Sequence, residues 1–170
     1  MEGVIRAVLS NFTVTSLVLG LAAALVAIAR LPAPRTRGTI AEPLLRWYLF
    51  FAVGVAMLYN FVMHVFFGAS TARFIGWADS PFQTEVGLAS LGFAVVGFMA
   101  SRGEAPVRLA AIVGPACFLV GAGIGHLRDI AATGNLAPGS AGSVLYTDFL
   151  TPAVGLALWW LRYRGPGTSR

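Results

Sequence analysis

Four ionisable side chains lie within or at the edge of long apolar stretches of this chain, where such residues are rare. They are His64, Glu85, His126 and Asp148. Placing an ionisable group in a nonpolar medium is costly, so such groups generally face a protein interior, find polar partners and mark function. Two carboxyl groups and two imidazoles in a low-dielectric pocket can perform general acid–base chemistry. We therefore predict that these four residues form an acid–base site.

Burial favours the neutral form of a carboxylic acid, which can then donate a proton. We expect Glu85 or Asp148 to be the proton donor, with His64 and His126 positioning it or removing a proton later. The surrounding apolar residues favour a lipophilic small molecule as substrate. Four nearby polar residues are predicted to contact that substrate: Asn60, Gln83, Asp129 and Tyr146.

Other interpretations of the same residues remain open. The acid–base site requires no metal or cofactor, but two imidazoles with a carboxylate could also bind zinc, iron or manganese, and His64 and His126 could ligate a haem. In a purely structural interpretation, His64 pairs with Asn60, and Glu85 and Asp129 pair with arginines. The protein would then be an accessory membrane subunit whose polar groups only stabilise helix contacts.

The elements that must position these residues follow from the composition. The chain is 57% hydrophobic and only 11% charged, whereas a soluble domain has about 25% charged residues. A spanning helix needs about 20 apolar residues, and these runs lack the alternation of a β-barrel. The sequence predicts an all-α bundle of five transmembrane helices in a single domain, with spans near 12–29, 47–68, 81–101, 109–127 and 143–161.

These spans place the four ionisable groups at a similar depth. His64, Glu85 and Asp148 each lie about four to six residues from the same side of the bundle, or roughly 6–9 Å at the helical rise. The opposite halves of the predicted spans contain no ionisable residue. The connection 128–142 is long enough to cover the site as a lid. Gly121 and Gly125, four residues apart, are expected to let a neighbouring helix approach closely.

Arginine positions predict the topology. All twelve basic residues are arginines, and with the C-terminus inside, nine lie inside and three (Arg6, Arg73, Arg128) outside. We therefore expect the N-terminus out and the C-terminus in, in a bacterial inner membrane. Stretch 12–29 could also be a signal peptide ending at Ala27-Ile28-Ala29, but its 18 uncharged residues favour a retained helix. No basic stripe is present, which argues against a nucleic-acid partner.

Three segments resemble a group of small bacterial membrane proteins of unknown function. They are Ala78-Asp79-Ser80-Pro81-Phe82-Gln83-Thr84-Glu85-Val86-Gly87, Gly125-His126-Leu127-Arg128-Asp129 and Asn135-Leu136-Ala137-Pro138-Gly139. In size and helix number the chain is also similar to bacterial membrane-bound terpene cyclases, although no motif aligns with them. That similarity implies acid-catalysed cyclisation or isomerisation of a prenyl-type substrate.

Overall fold

The computed structural model describes residues 7–164, and within that range the chain is helical without strands. The helices are α1 Phe12–Ala29, α2 Arg37–Tyr48, α3 Ala56–Phe66, α4 Gly68–Ile75, α5 Phe82–Ala100, α6 Ala105–Thr133, α7 Pro138–Ala141 and α8 Ser143–Tyr163, with a π-helical segment Leu49–Val55 joining α2 to α3. Five stretches are long and apolar enough to cross a membrane: Phe12–Ala29, Arg37–Phe66, Phe82–Ala100, Ala105–Thr133 and Pro138–Tyr163. The all-α class and the five spans are confirmed. Arg6 and Arg170 lie outside the described residues.

The second span begins ten residues earlier than the predicted Trp47. Thr36 caps α2: its hydroxyl accepts a hydrogen bond from the Thr39 amide at 3.2 Å, while the Thr39 hydroxyl accepts one from the Thr36 amide at 2.9 Å. This reciprocal cap satisfies two amides that a helix end leaves free. The helix therefore begins before the apolar stretch that starts at Trp47, because the cap precedes that stretch.

The fourth span is also longer than predicted. Helix α6 continues to Thr133 and ends at Gly134, whose φ of 72° is a left-handed conformation that glycine adopts readily. Most of the connection 128–142 that we expected to form a lid is therefore helical. The connection that remains consists of residues 134–137 and the short helix α7.

The bundle has two ends with different contents. We call the end with the connections 30–36 and 101–104 the Glu42 end, and the end with the connections 67–81 and 134–142 the cavity end. Buried apolar residues concentrate toward the Glu42 end, where they form a core of Leu45, Tyr48, Leu49, Ala52, Val53, Ala100, Ala111 and Ile112. This packing fixes the spans relative to one another and leaves open space at the opposite end.

An ion-pair network that includes the buried Arg108 lies at the Glu42 end. The Arg108 guanidinium is 4% exposed and donates to both Glu42 carboxylate oxygens at 2.7 and 2.8 Å. Arg162 donates to the same carboxylate at 2.7 Å. The prediction that ionisable groups occupy one layer of the bundle was therefore wrong, because α2 and α6 extend past the predicted spans and carry Glu42 and Arg108 into the protein.

Candidate functional site

A cavity of about 1000 Å³ occupies the cavity end of the bundle. Its walls come from α1, α3, α5, α6 and α8, and the short helices α4 and α7 form its roof. The lining is largely apolar, with side chains such as Phe12, Met57, Met63, Phe74, Phe118 and Leu119. Five predicted site residues also line it: Asn60, His64, Gln83, His126 and Asp148. The fold thus brings one predicted carboxylate and both imidazoles around one apolar space.

Asp148 on α8 is the most deeply buried acid at this end. Its residue is 2% exposed, and its Oδ2 atom has no hydrogen-bond partner among the described residues. Burying a carboxyl oxygen without a partner is expensive, so a ligand or solvent in the cavity is the remaining source of a hydrogen bond. Asp148 is therefore free to interact with whatever occupies the cavity.

His64 and Gln83 form a second buried polar group beside the cavity. His64 is 8% exposed and Gln83 is 4% exposed. The two side chains are close enough to interact with each other, and neither His64 Nδ1 nor Gln83 Oε1 has another partner within residues 7–164. Helices α3 and α5 can place them together because Gly87 has no side chain: a Cβ there would lie 3.3 Å from the His64 Cβ. These two side chains thus form a polar pair in the wall of the cavity.

Asn60 does not pair with His64 in the way that the four-residue spacing predicts. Its amide Nδ2 donates to Ser90 Oγ at 2.9 Å, and the Ser90 hydroxyl donates to the Val86 carbonyl at 2.8 Å. Asn60 therefore ties α3 to α5. The structural explanation of His64 as a partner of Asn60 is wrong in this structure, and the His64 ring faces the cavity without it.

His126 belongs to the roof of the cavity. Its Nδ1 lies 3.2 Å from the Ser140 hydroxyl on α7, and its ring stacks on Trp77 with centroids 5.4 Å apart and planes inclined by 28°. These contacts fix the orientation of the imidazole. Compared with His64, His126 is held by partners on two sides, which gives it a more structural environment.

Asp129 holds the roof in place and does not line the cavity. Its Oδ2 accepts hydrogen bonds from Trp77 Nε1 at 2.9 Å and from Asn135 Nδ2 at 2.7 Å, and Oδ1 accepts from Thr133 at 3.1 Å. Asn135 also donates to the Ile75 carbonyl at 3.0 Å. We call Trp77, Asp129 and Asn135 the latch. The predicted substrate contact of Asp129 is not found, and no described arginine pairs with it.

Glu85 and Tyr146 point away from the cavity, contrary to their predicted roles. Glu85 is exposed, and Tyr146 is 71% exposed. Each lies two residues before or after a buried polar residue, Gln83 or Asp148, and two helical residues are separated by about 200° around the axis. Gln83 and Asp148 line the cavity, so Glu85 and Tyr146 must face outward. The predicted depth of these residues along their helices agrees with the structure, but the predicted side of the helix was wrong.

Glycines of α6 shape the cavity more than they pack helices. A Cβ built on Gly121 or Gly125 would meet no atom within 4 Å, and both residues line the cavity. The glycine that permits close approach is Gly123, where a Cβ would lie 2.8 Å from the Phe149 ring. The expected packing role of Gly121 and Gly125 is therefore wrong: they leave space free.

Sequence reasoning missed three polar residues of the roof. Thr71 and Trp77 lie outside the predicted spans, yet both line the cavity, and Thr71 belongs to the helix Gly68–Ile75. Ser140 is fully buried beside His126. The amphipathic pattern of residues 68–75, in which small polar and apolar residues recur at helical spacing, could have indicated the helix in this segment.

No group of three or more His, Cys, Asp or Glu side chains that could hold a metal ion is present between residues 7 and 164. His64 and His126 line the same cavity, whereas the exposed Cys117 does not. The arrangement instead offers an apolar volume bordered by a carboxyl group, imidazoles and a carboxamide. Such a site can bind an amphiphilic or lipophilic molecule and exchange protons with it.

One of the comparisons with known proteins gives a match. No curated protein and no solved structure matches the chain. A family model described as a family of unknown function, DUF6790, matches residues 10–168. That range includes every residue of the cavity described above except Leu9. The chain therefore belongs to the DUF6790 family.

Proposed function

We propose that this protein is a multi-pass protein of a bacterial inner membrane that binds a lipophilic small molecule in the cavity and performs acid–base chemistry on it. The supporting observation is that Asp148 Oδ2 is buried without a partner among the described residues, and that Asp148, His64 and Gln83 all line one apolar cavity. A prenyl-type molecule suits this volume, since small-molecule pockets commonly occupy about 300–1,000 Å³.

The unpaired Asp148 oxygen argues for a polar group in the ligand. A purely structural polar layer would satisfy its own hydrogen bonds, because an unsatisfied buried polar atom costs about 1–3 kcal/mol. Asn60 and Asp129 illustrate that outcome, since both have side-chain partners. Asp148 Oδ2 has none among the described residues, and His64 and Gln83 have only each other. Their arrangement favours a site that is completed by its ligand over an accessory subunit with a static polar layer.

The proposed chemistry is isomerisation or cyclisation of an unsaturated chain. The protonated Asp148 carboxyl donates its proton to an alkene carbon: a C–H bond forms from the π electron pair and leaves a carbocation on the adjacent carbon. His64 removes a proton from a neighbouring carbon, and the electron pair of that C–H bond forms the new double bond. The proton then returns from the imidazolium to the Asp148 carboxylate. No oxidant, reductant or metal is consumed in this cycle.

The orientation with the N-terminus outside is part of the proposal. Among described residues, eight arginines lie at the Glu42 end: Arg30, Arg35, Arg37, Arg46, Arg102, Arg108, Arg162 and Arg164. Two, Arg73 and Arg128, lie at the cavity end. Arginine-rich connections remain on the cytoplasmic side. The cavity end would therefore face outward, away from the cytoplasm.

Proton transfer to a prenyl alcohol in heavy water tests this function. Purified protein in lipid nanodiscs is incubated with farnesol in D₂O, and carbon-bound deuterium and double-bond isomers are measured by mass spectrometry. The wild-type protein is expected to introduce deuterium, and Asp148→Asn is expected to abolish it. Glu85→Gln is the matched control, because Glu85 is an exposed acid at the same end outside the cavity. Equal activity in wild type and Asp148→Asn would contradict the assignment.

A further inference from the structure

A second, smaller cavity adjoins the first at the cavity end. It has a volume of about 490 Å³ and is bordered by the start of α4, the start of α5 and the connection between them. Asp79, Ser80 and Thr84 line it and are exposed, so it opens to the surface. We call this space the vestibule. Its exposed polar lining contrasts with the apolar lining of the larger cavity.

His64 and Gln83 line both spaces. They are the only residues common to the vestibule and the cavity within the described chain, and both are more than nine-tenths buried. Apart from their contact with each other, His64 Nδ1 and Gln83 Oε1 lack hydrogen-bond partners in this part of the protein. The boundary between the exposed polar space and the larger apolar one is thus made by two neighbouring polar side chains.

From this juxtaposition we infer that His64 relays protons between water in the vestibule and the interior of the cavity, with Gln83 positioning the ring. This inference rests on the proposed acid–base function, because a buried acid needs a route by which its protons equilibrate with solvent. An imidazole suits the task, since one ring nitrogen can accept a proton while the other releases one. Apolar residues elsewhere in the cavity wall offer no comparable group.

The relay conserves protons and charge. Water or hydronium in the vestibule gives a proton to one ring nitrogen, and the other nitrogen releases a proton to the ligand or to the Asp148 carboxylate. The imidazole ends neutral in its other tautomer, which ring rotation or reverse transfer restores. Asp79 is the charged group lining the vestibule, while Asp148, His126 and Tyr59 are, besides His64, the ionisable groups lining the cavity. Asp79 would attract the incoming proton, and Asp148 would receive it.

The two histidines of this chain make the relay measurable. Protein labelled with ¹⁵N-histidine gives ring signals for His64 and His126 alone, which a His126→Asn variant assigns. After transfer of the protein in nanodiscs into D₂O, the rate at which each ring N–H becomes N–D is followed by NMR. We expect Gln83→Leu to slow the exchange of His64 about tenfold, because proton transfer between the vestibule and the cavity would require the polar group that this variant loses. His126 exchange should not change.

A blocking experiment tests the same proton route without changing His64 or Gln83. In a Cys117→Ala background, Thr84→Cys places a thiol in the vestibule, and a membrane-impermeant cationic methanethiosulfonate reagent then occupies that space. Labelling is expected to be complete and to slow His64 exchange. Glu85→Gln is the matched control for Gln83→Leu, because it removes a charge two residues away and outside both spaces.

Unchanged His64 exchange in both Gln83→Leu and the labelled Thr84→Cys protein would overturn the relay. The farnesol measurement separates this result from a failure of the proposed function. Slowed His64 exchange without any deuterium transfer to farnesol by the wild-type protein would support the proton route and contradict prenyl chemistry. Deuterium transfer to farnesol with unaltered His64 exchange would support prenyl chemistry and contradict the proton route.

Discussion

Asp148 on α8 lies directly against a residue without a side chain, Gly123 on α6. A Cβ built on Gly123 would be 3.1 Å from the Asp148 Cβ and 2.8 Å from the Phe149 ring. Both distances are shorter than ordinary carbon–carbon contacts of about 3.5–4.0 Å. The glycine therefore sets how closely α8 approaches α6, and with it the position of the Asp148 carboxyl group in the cavity.

Gly123→Ala should impair proton transfer without touching the ligand. The added methyl group must push α8 away by a few tenths of an ångström, which moves Asp148 relative to the substrate. We expect deuterium transfer to farnesol to fall about tenfold, since small errors of alignment have large effects on rate. Gly92→Ala is the control, because a Cβ at Gly92 meets no atom within 4 Å. Full activity in Gly123→Ala would show that this contact does not position the acid.

Asp148→Asn should stabilise the empty protein while abolishing its activity. Asp148 Oδ2 is buried without a partner among the described residues, so folding must keep the carboxyl group protonated, at a cost in free energy that the permanently neutral amide avoids. We expect the Tm of the ligand-free variant in nanodiscs to rise by about 2 °C or more, corresponding to roughly 1 kcal/mol in a protein of this size. A lower Tm would indicate that Asp148 contributes a stabilising interaction.

Trp77→Phe should loosen the roof of the cavity. Phenylalanine keeps an aromatic ring against His126 but loses the N–H group that donates to Asp129 Oδ2 at 2.9 Å. We expect faster hydrogen–deuterium exchange of backbone amides in residues 76–81 and faster dissociation of bound farnesol. Trp160→Phe, at the exposed surface of the opposite end, is the control. If both variants released farnesol at the wild-type rate, the latch would have no role in ligand exchange.

The ion pair between the buried Arg108 and the partly exposed Glu42 should affect stability more than function. Arg108→Met removes two of the three hydrogen bonds to the Glu42 carboxylate, those at 2.7 and 2.8 Å, and leaves the one from Arg162. Removing one partner of a wholly buried pair costs about 3–5 kcal/mol, and we expect roughly 3 kcal/mol here because Glu42 is partly exposed. Arg162→Met should cost less, about 1 kcal/mol or below, since Arg162 is nearer the surface. Thermal unfolding of both variants measures this order, and a larger loss for Arg162→Met would contradict it.

The sequence predicted the spans well because hydropathy over about 20 residues reports burial in lipid. Its errors occurred at the helix ends. The cap at Thr36 and the continuation of α6 to Thr133 lie outside the apolar runs and depend on local hydrogen bonds. As a result, the Glu42–Arg108 pair was missed entirely, because both residues lie outside the predicted spans.

The sequence predicted the depth of the site residues along their helices, but not the direction in which their side chains point. His64, His126 and Asp148 were expected in one layer, and all three line the cavity. Glu85 was expected there too, yet its side of α5 is exposed. Depth follows from counting residues along a helix, whereas direction depends on which face packs against neighbours. A nearly uniform apolar composition around α5 gives that face little signal, so only the tertiary structure distinguishes Gln83 from Glu85.

Filling the cavity tests the central claim most directly. Gly125→Leu places a side chain in open space within the cavity, and Gly92→Leu places the same side chain in open space on an exposed helix face outside it. Equilibrium binding of radiolabelled farnesol to both variants in nanodiscs is the measurement. We expect Gly92→Leu to bind like the wild type and Gly125→Leu to lose binding while unfolding at a similar temperature. Wild-type affinity in a correctly folded Gly125→Leu protein would contradict a ligand site in this cavity.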